Sequence, residues 1–219
     1  PFSILFRGCS FMIVYEAGVW TALQDLSPDI LQSASKIYGA SSGSIIATLG
    51  LCGCGMGKGW ALPGVQRMAW GNSYLPFLPG GRAMEMLREA LHKYLPPNAH
   101  QLVSGKLQVI ITRLRDCRSV VVSDFSSKED LIQAIVCSCF IPVYFGLVPP
   151  TYRGVHYVDG EIGMCRASLV SRSTITVSAF AGEYDICPRD SPAAFLTFLI
   201  SDCILRISKS NLRRLLHTF

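Results

Sequence analysis

The sequence predicts an α/β domain built around a largely parallel sheet. Three observations predict it. Strand-like and helix-like segments are mixed along the chain without an internal repeat. A G-x-S-x-G sequence sits between a strand tip and an apolar helix. Half of the 219 residues are apolar and 16% are charged, a composition that suits one domain, or a domain plus a short extension, with a substantial core.

Ser3 to Phe6 reads as a short strand, followed by the loop Arg7-Gly8-Cys9-Ser10 and a helix-like stretch from Phe11 to Leu26. Lys36-Ile37-Tyr38 is a second strand tip that ends at Gly39, and the apolar run from Ser44 is again helical. Gly53 to Gly81 is rich in Gly, Pro and Trp, lacks a period, and is expected to be irregular or partly helical. Ala83 to Tyr94 returns to helical spacing and stops before Pro96-Pro97. Leu107 to Leu114 and Ser119 to Ser123 are strand-like on either side of a turn. Ser126-Ser127-Lys128-Glu129 has the capping-box pattern, with Ser126 as N-cap and Glu129 three residues on, opening a helix to about Ser138. Val155 to Val158 and Thr174 to Ser178 complete the strands, and residues 191–219 are expected to form a helical extension to a domain spanning residues 1–190.

Mean hydropathy is +0.35, yet no segment approaches the roughly 18 uninterrupted apolar residues that span a bilayer. The longest candidate, Ser44 to Met56, is broken by Gly50, Gly53 and Gly55 and reads as a buried helix. The net charge of +5 is modest and its cations are scattered, which argues against a nucleic-acid partner. Arg206, Lys209, Arg213 and Arg214 cluster near the end among Ile204, Leu205, Ile207, Leu212, Leu215 and Leu216. That stretch reads as an ordinary amphipathic helix or as a segment for anionic lipid. Nine cysteines, with Cys52/Cys54 and Cys137/Cys139 one residue apart, match neither a zinc framework nor a secreted disulfide scaffold. Free thiols in a reducing, cytoplasmic setting are expected, with no metal and no organic cofactor. Pro1 leads almost directly into a strand, so no signal peptide is expected within this stretch, and without an initiating Met the chain is expected to be a fragment.

Gly39-Ala40-Ser41-Ser42-Gly43 carries the chemistry. A sharp strand-to-helix turn strains the serine and needs small neighbours where backbone and helix crowd together. The helix N-terminus then aims amides at the seryl oxygen. The competing reading is a tight Gly-Ser turn, with Ser42 and Ser44 as capping or packing neighbours. Gly8-Cys9-Ser10, between the first strand and the first helix, is the candidate oxyanion loop, or a helix-entry turn capped by Ser10. For the base, a Ser-Asp-His triad would need Asp159 and His217, but the elbow comes early and His217 stands three residues from the end. His92, His100 and His156 have no evident orienting acid. A direct Ser41–Asp159 dyad remains. Gly53-Cys54-Gly55-Met56-Gly57-Lys58-Gly59 lacks the spacing and the Ser/Thr of a phosphate loop.

Several segments resemble the patatin-like phospholipase family, in its branch with adipose triglyceride lipase and adiponutrin. They are F-R-G-C-S-F from Phe6, I-Y-G-A-S-S-G from Ile37, S-G-K-L-Q-V-I-I-T-R from Ser104 and S-S-K-E-D-L-I-Q-A from Ser126. The long run from Cys137 through Tyr157-Val158-Asp159-Gly160, and D-I-C-P-R-D from Asp185, extend the pattern to nearly the whole chain. The resemblance implies a three-layer α-β-α sandwich and a Ser–Asp dyad. It assigns Ser41 as nucleophile, Asp159 of the D-G turn with Gly160 as base, Gly8, Cys9 and Ser10 as the oxyanion loop, and Gly39 and Gly43 as the elbow's flanks. It further implies acyl-ester hydrolysis or acyl transfer on acylglycerol or phospholipid, with ω-hydroxyceramide as a possible acceptor. A lipid droplet or membrane surface and a co-activator protein are the implied partners. This chain departs from the pattern at Ser10, where glycine is usual, at Glu161, where a second glycine or another small residue is usual, and at Met164-Cys165-Arg166, where an Asn-Pro segment is usual. A Cβ at Ser10 restricts φ, and a carboxylate at Glu161 is expected to raise the pKa of Asp159 by repulsion. A catalytically impaired lipid-surface protein of the same fold is therefore the alternative function.

Overall fold

A computed structural model describes residues 1–56, 81–164, 173–189, 197–200, 203–206 and 208–216. Strand β1 (Ser3–Phe6) leads through a 3-10 turn (Ser10–Met12) into helix α1 (Ile13–Leu26) and a short helix α2 (Pro28–Ser33). Strand β2 (Lys36–Ala40) feeds α3 (Ser42–Leu51). After α4 (Gly81–Tyr94) and α5 (Ala99–Val103) come β3 (Leu107–Arg113), β4 (Arg118–Val122) and α6 (Lys128–Cys139). Then follow β5 (Thr151–Tyr152), β6 (Val155–Val158), α7 (Gly160–Met164) and β7 (Thr174–Val177).

The centre of the sheet is parallel, in the order β3-β2-β1-β7. Strands β4, β5 and β6 add antiparallel pairings on the β3 side. Period-two alternation sorts the side chains to two faces. Ile4, Phe6, Ile37, Val109 and Ile111 pack with Trp20 of α1, Ile46 and Leu49 of α3, and Ile132 and Ile135 of α6. Leu5, Ala40 and Ile110 face the other way and pack against Met164 of α7. Helices thus lie on both faces of a mostly parallel sheet, the layered architecture expected.

Local chemistry departs from expectation at three places. The N-cap of α6 is Ser127, whose Oγ accepts from Asp130 N–H at 3.0 Å, one residue later than the Ser126–Glu129 box. Ser126 instead donates its N–H and hydroxyl to the Asp130 carboxylate. Helix α2, with Pro28 in its first turn, was too short to leave a period in the sequence. Among the described residues the C-terminal stretch is helical only as α8 (Lys209–Leu216); before it, β8 (Thr197–Ile200) and β9 (Cys203–Arg206) pair as an antiparallel hairpin. Short apolar runs such as Thr197–Ile200 fit strand and helix equally by periodicity. The stretch from Gly57 to Gly80, Cys165, Arg166 and His217 lie outside the described residues.

Candidate active site

Register on β3 brings the two ends of the site together. Strand β2 runs along Leu107–Ile110 and stops with Ala40 opposite Ile110. Strand β6 runs antiparallel to the far end of β3, with Tyr157 opposite Arg113 and Val158 opposite Thr112. The two strands therefore approach each other end to end along β3. The residues that follow them, Ser41 and Asp159, emerge on either side of Ile111.

Ser41 has φ 53° and ψ −129°, a conformation that L-residues adopt only under constraint, at a cost of about 1–3 kcal/mol. Its backbone is anchored on both sides. The Ser41 N–H donates to Ser138 Oγ at 2.8 Å, and that hydroxyl donates to Ile110 O at 2.7 Å. The Ser41 carbonyl accepts from Ser44 N–H at 2.9 Å and from Ser44 Oγ at 2.6 Å. A Cβ on Gly43 would overlap the Phe6 carbonyl, and one on Gly39 would lie 2.5 Å from Ser44 Cα, so α3 can seat against β1 and β2 only with glycine at both positions.

Asp159 is 3% exposed. Its N–H donates to Phe140 O at 2.8 Å, and its carbonyl accepts from Thr112 Oγ1 at 2.7 Å. Gly160 lies so close to Ile110 O that a Cβ would overlap it. Burial pushes the Asp159 carboxyl up to about 7. The Ser41 hydroxyl, as a hydrogen-bond partner, and Glu161 N–H, donating to Oδ1 at 2.9 Å, pull it back down. The Glu161 charge raises it, the direction expected, but is the smallest of these contributions. Its carboxylate points away from Asp159: Arg7 Nη2 donates to Oε2 at 2.7 Å, and Gly8 N–H donates to Oε1 at 2.6 Å.

The Gly8–Cys9–Ser10 loop faces this pair. A Cβ on Gly8 would lie 2.9 Å from Ser41 Cβ and 2.7 Å from Glu161 Cγ, so the loop passes between them. Cys9 N–H donates to Ser42 Oγ at 2.8 Å. Ser10 adopts φ 49°, the conformation a glycine takes without strain, so its Cβ is accommodated rather than excluding that turn. Ser10 belongs to the 3-10 turn and does not cap it with its side chain. Behind the loop, burial raises both the Cys9 thiol and the neighbouring Glu16 carboxyl, which holds a neutral cluster there.

An apolar cavity of about 300 Å³ opens from Ser41, walled by Ile45 and Leu49 of α3, Leu87 and Leu91 of α4, and Phe145. Neither His92, His100 nor His156 lines it; His92 and His156 are exposed, and His156 Nδ1 sits 2.9 Å from Pro149 O. Ser138 and Arg7 are parts of the site that sequence reasoning did not single out, although both stand inside the segments that carry the resemblance; Ser42, read as a capping or packing neighbour, accepts from Cys9 N–H.

The patatin-like phospholipase model matches residues 4–164, from β1 through α7. The chain belongs to the patatin-like phospholipase family. It is 43% identical to the omega-hydroxyceramide transacylase of Homo sapiens over 99% of this chain and 41% of that protein. It is 40% identical to the human 1-acylglycerol-3-phosphate O-acyltransferase PNPLA3 over 99% of this chain and 45% of that one. With human patatin-like phospholipase domain-containing protein 2 it shares 40% identity over 97% of this chain and 42% of that protein. The chain thus spans less than half the length of these patatin-like relatives. Among solved structures, VipD from Legionella pneumophila aligns with a TM-score of 0.41 and 15% identity over 83% of this chain and 51% of that chain.

Proposed function

We propose that this chain is the catalytic part of a lipid acyl hydrolase or transacylase, with Ser41 as nucleophile, Asp159 as base and the Gly8–Cys9–Ser10 loop as oxyanion site. The observation that carries the reading is the end-to-end approach of β2 and β6 along β3, with a strained serine at the head of an apolar cavity and a buried carboxyl as its hydrogen-bond partner. Ser41 Oγ attacks the ester carbonyl carbon and its proton passes to Asp159. The tetrahedral oxyanion draws on loop amides. Collapse breaks the ester C–O bond, the Asp159 proton leaves with the alkoxide, and an acyl-Ser41 ester remains. Water or an acceptor hydroxyl then attacks that ester, its proton passing to Asp159 and on to Ser41.

The apolar cavity suits a fatty acyl chain, and the relatives' names support acylglycerols or phospholipids as donors, with water, 1-acylglycerol-3-phosphate or ω-hydroxyceramide as acceptors. Exposed Val143, Leu147 and Val148, beside cavity-lining Ile141 and Phe145, fit a lipid droplet or membrane surface from the cytoplasmic side, with or without a co-activator protein. Residues 1–190 serve as the catalytic domain and 191–219 as its extension. One observation favours a second reading, an impaired lipid-surface protein of this fold: the Glu161 carboxylate already occupies Gly8 N–H.

Fluorophosphonate labelling tests the enzyme reading. Wild type should label, and Ser41→Ala should not; labelling that persists in Ser41→Ala, or absent reaction throughout, refutes it. Loss in His217→Ala with retention in Asp159→Asn would replace the dyad by a triad. Products from triacylglycerol, phospholipid and ω-hydroxyceramide mixtures, scored as free acid against acyl ester, separate hydrolase from transacylase.

A further inference from the structure

We propose that Glu161 is a brake on acylation: its carboxylate occupies the Gly8 amide that the tetrahedral oxyanion would use, and Arg7 holds it there. This rests on the function proposed above, and concerns a residue that neither attacks nor accepts the reacting proton.

Glu161 is the first residue after the D-G turn, and its backbone N–H stays with Asp159. Its side chain, by contrast, reaches back across the chain to the loop after β1. There Oε1 accepts from Gly8 N–H at 2.6 Å, while Oε2 accepts from Arg7 Nη2 at 2.7 Å and from Nε at 3.3 Å. Arg7 cannot follow an outward swing of the carboxylate. Its side chain is 4% exposed, and its guanidinium also lies 5.5 Å from the centroid of the Tyr184 ring. Glu161 is the more exposed partner, with a side chain 25% exposed.

Two consequences follow for a reaction at Ser41. The Cys9 amide is engaged by the neutral Ser42 hydroxyl, so the Gly8 amide is the loop donor whose occupancy is set by a charge. A full negative charge on that donor competes with the developing oxyanion and repels it at short range. The acyl cavity, meanwhile, is lined by neither Arg7 nor Glu161, so ground-state binding of an acyl chain is independent of the pair. The brake therefore acts on kcat and leaves KM in place.

Ester hydrolysis and fluorophosphonate labelling should be measured for wild type, Glu161→Gly, Glu161→Gln and the double variant Arg7→Ala/Glu161→Gly. Glycine keeps the backbone bond to Asp159 and frees the Gly8 amide. It should raise kcat and the labelling rate at Ser41 at least about tenfold, within the 10²–10³-fold that one oxyanion donor is typically worth, with KM unchanged. Glutamine, which keeps the bulk but loses the charge, should give a smaller rise. The double variant removes the buried guanidinium as well, so the expectation holds even if an unpaired Arg7 unfolds the single variant. Folded variants that label at Ser41 no faster than wild type overturn the brake while leaving the dyad intact. Labelling in none of the four overturns both. A silent wild type beside a reactive Glu161→Gly supports both.

Discussion

Replacing Asp159 by asparagine should stabilise the protein while removing its reactivity. In the native state burial holds the carboxyl up to about 7 against a reference of 3.8, a rise of about three units. At 1.36 kcal/mol per unit this amounts to roughly 4 kcal/mol. A raised carboxylate pKa means that between about pH 4 and 7 the native state keeps a proton that the unfolded chain has released. Wild-type stability should fall with rising pH over that window, by up to about 1.4 kcal/mol per pH unit from this group alone. Asparagine does not titrate. Its Oδ1 can still accept from Glu161 N–H, as Asp159 Oδ1 does, and its amide resembles the protonated carboxyl. The stability gap in favour of Asp159→Asn should therefore open between pH 4 and 7 and hold its full value above. For a chain of this size that corresponds to a shift in Tm of about 10 °C. Urea denaturation of both proteins at pH 4.5 and pH 8.5 measures it, because every other titrating group is common to the two. Over the same range the labelling rate of Asp159→Asn should fall by about 10²–10⁴, the usual worth of a general base. A variant that is no more stable than wild type at pH 8.5 refutes the burial argument. One that is more stable and equally reactive refutes the role of Asp159 as base.

Three further outcomes are expected. Wild-type labelling should rise about tenfold per pH unit below about pH 7 and level off above it, as Asp159 ionises to the form that can take a proton; a flat profile from pH 5 to 8 contradicts this. Ser138→Ala removes the acceptor of Ser41 N–H and the donor to Ile110 O, and should cost about 1–3 kcal/mol for each buried group left unpaired. Its denaturation midpoint should drop and the elbow should label more slowly. Finally, Gly43→Ala should unfold or lose several kcal/mol because its Cβ meets backbone, whereas Gly18→Ala, on the exposed side of α1 with nothing within 4 Å, should gain up to about 1 kcal/mol; thermal melts of the two distinguish crowding from helix propensity.

The elbow was legible because its physics is local. A strained serine between strand and helix requires small residues two before and two after it, and that requirement is written at Gly39 and Gly43. Strands β1, β2 and β3 were legible for a similar reason, since burial on both faces makes them short, nearly unbroken apolar runs. The proposed base was different. Nothing around Asp159 announces that β6 will run antiparallel to β3 and deliver it beside Ser41; only the elimination of the histidines and the family resemblance pointed there. Glu161 shows the limit most clearly. Read as a sequence neighbour, its charge should push on Asp159; it does so only as the smallest contribution, because the turn into α7 sends the side chain to Arg7 and Gly8, more than 150 positions upstream. The cap of α6 slipped by one residue because Ser126 and Ser127 offer the same hydroxyl, and only the backbone geometry at Ser127 decides between them.

The site separates what holds it from what would react. Ser41 is kept in its strained conformation by Ser138 and Ser44, and neither hydroxyl has a part in the proposed proton path. Asp159 is fixed through its backbone by Phe140 and Thr112, which leaves the carboxyl's charge state to burial, to Ser41 and to Glu161. Preorganisation of this kind survives the loss of the reacting groups, so Ser41→Ala and Asp159→Asn can report on chemistry without collapsing the elbow. Arg7 and Glu161 break the pattern. Their pairing lies on the proposed oxyanion loop itself, where the same contact both positions an amide and fills it. A contact that did nothing but position would leave the rate lower when removed, and one that fills would leave it higher. The direction of the change in kcat for Glu161→Gly is thus a measurement of which role dominates, independent of how large the change is.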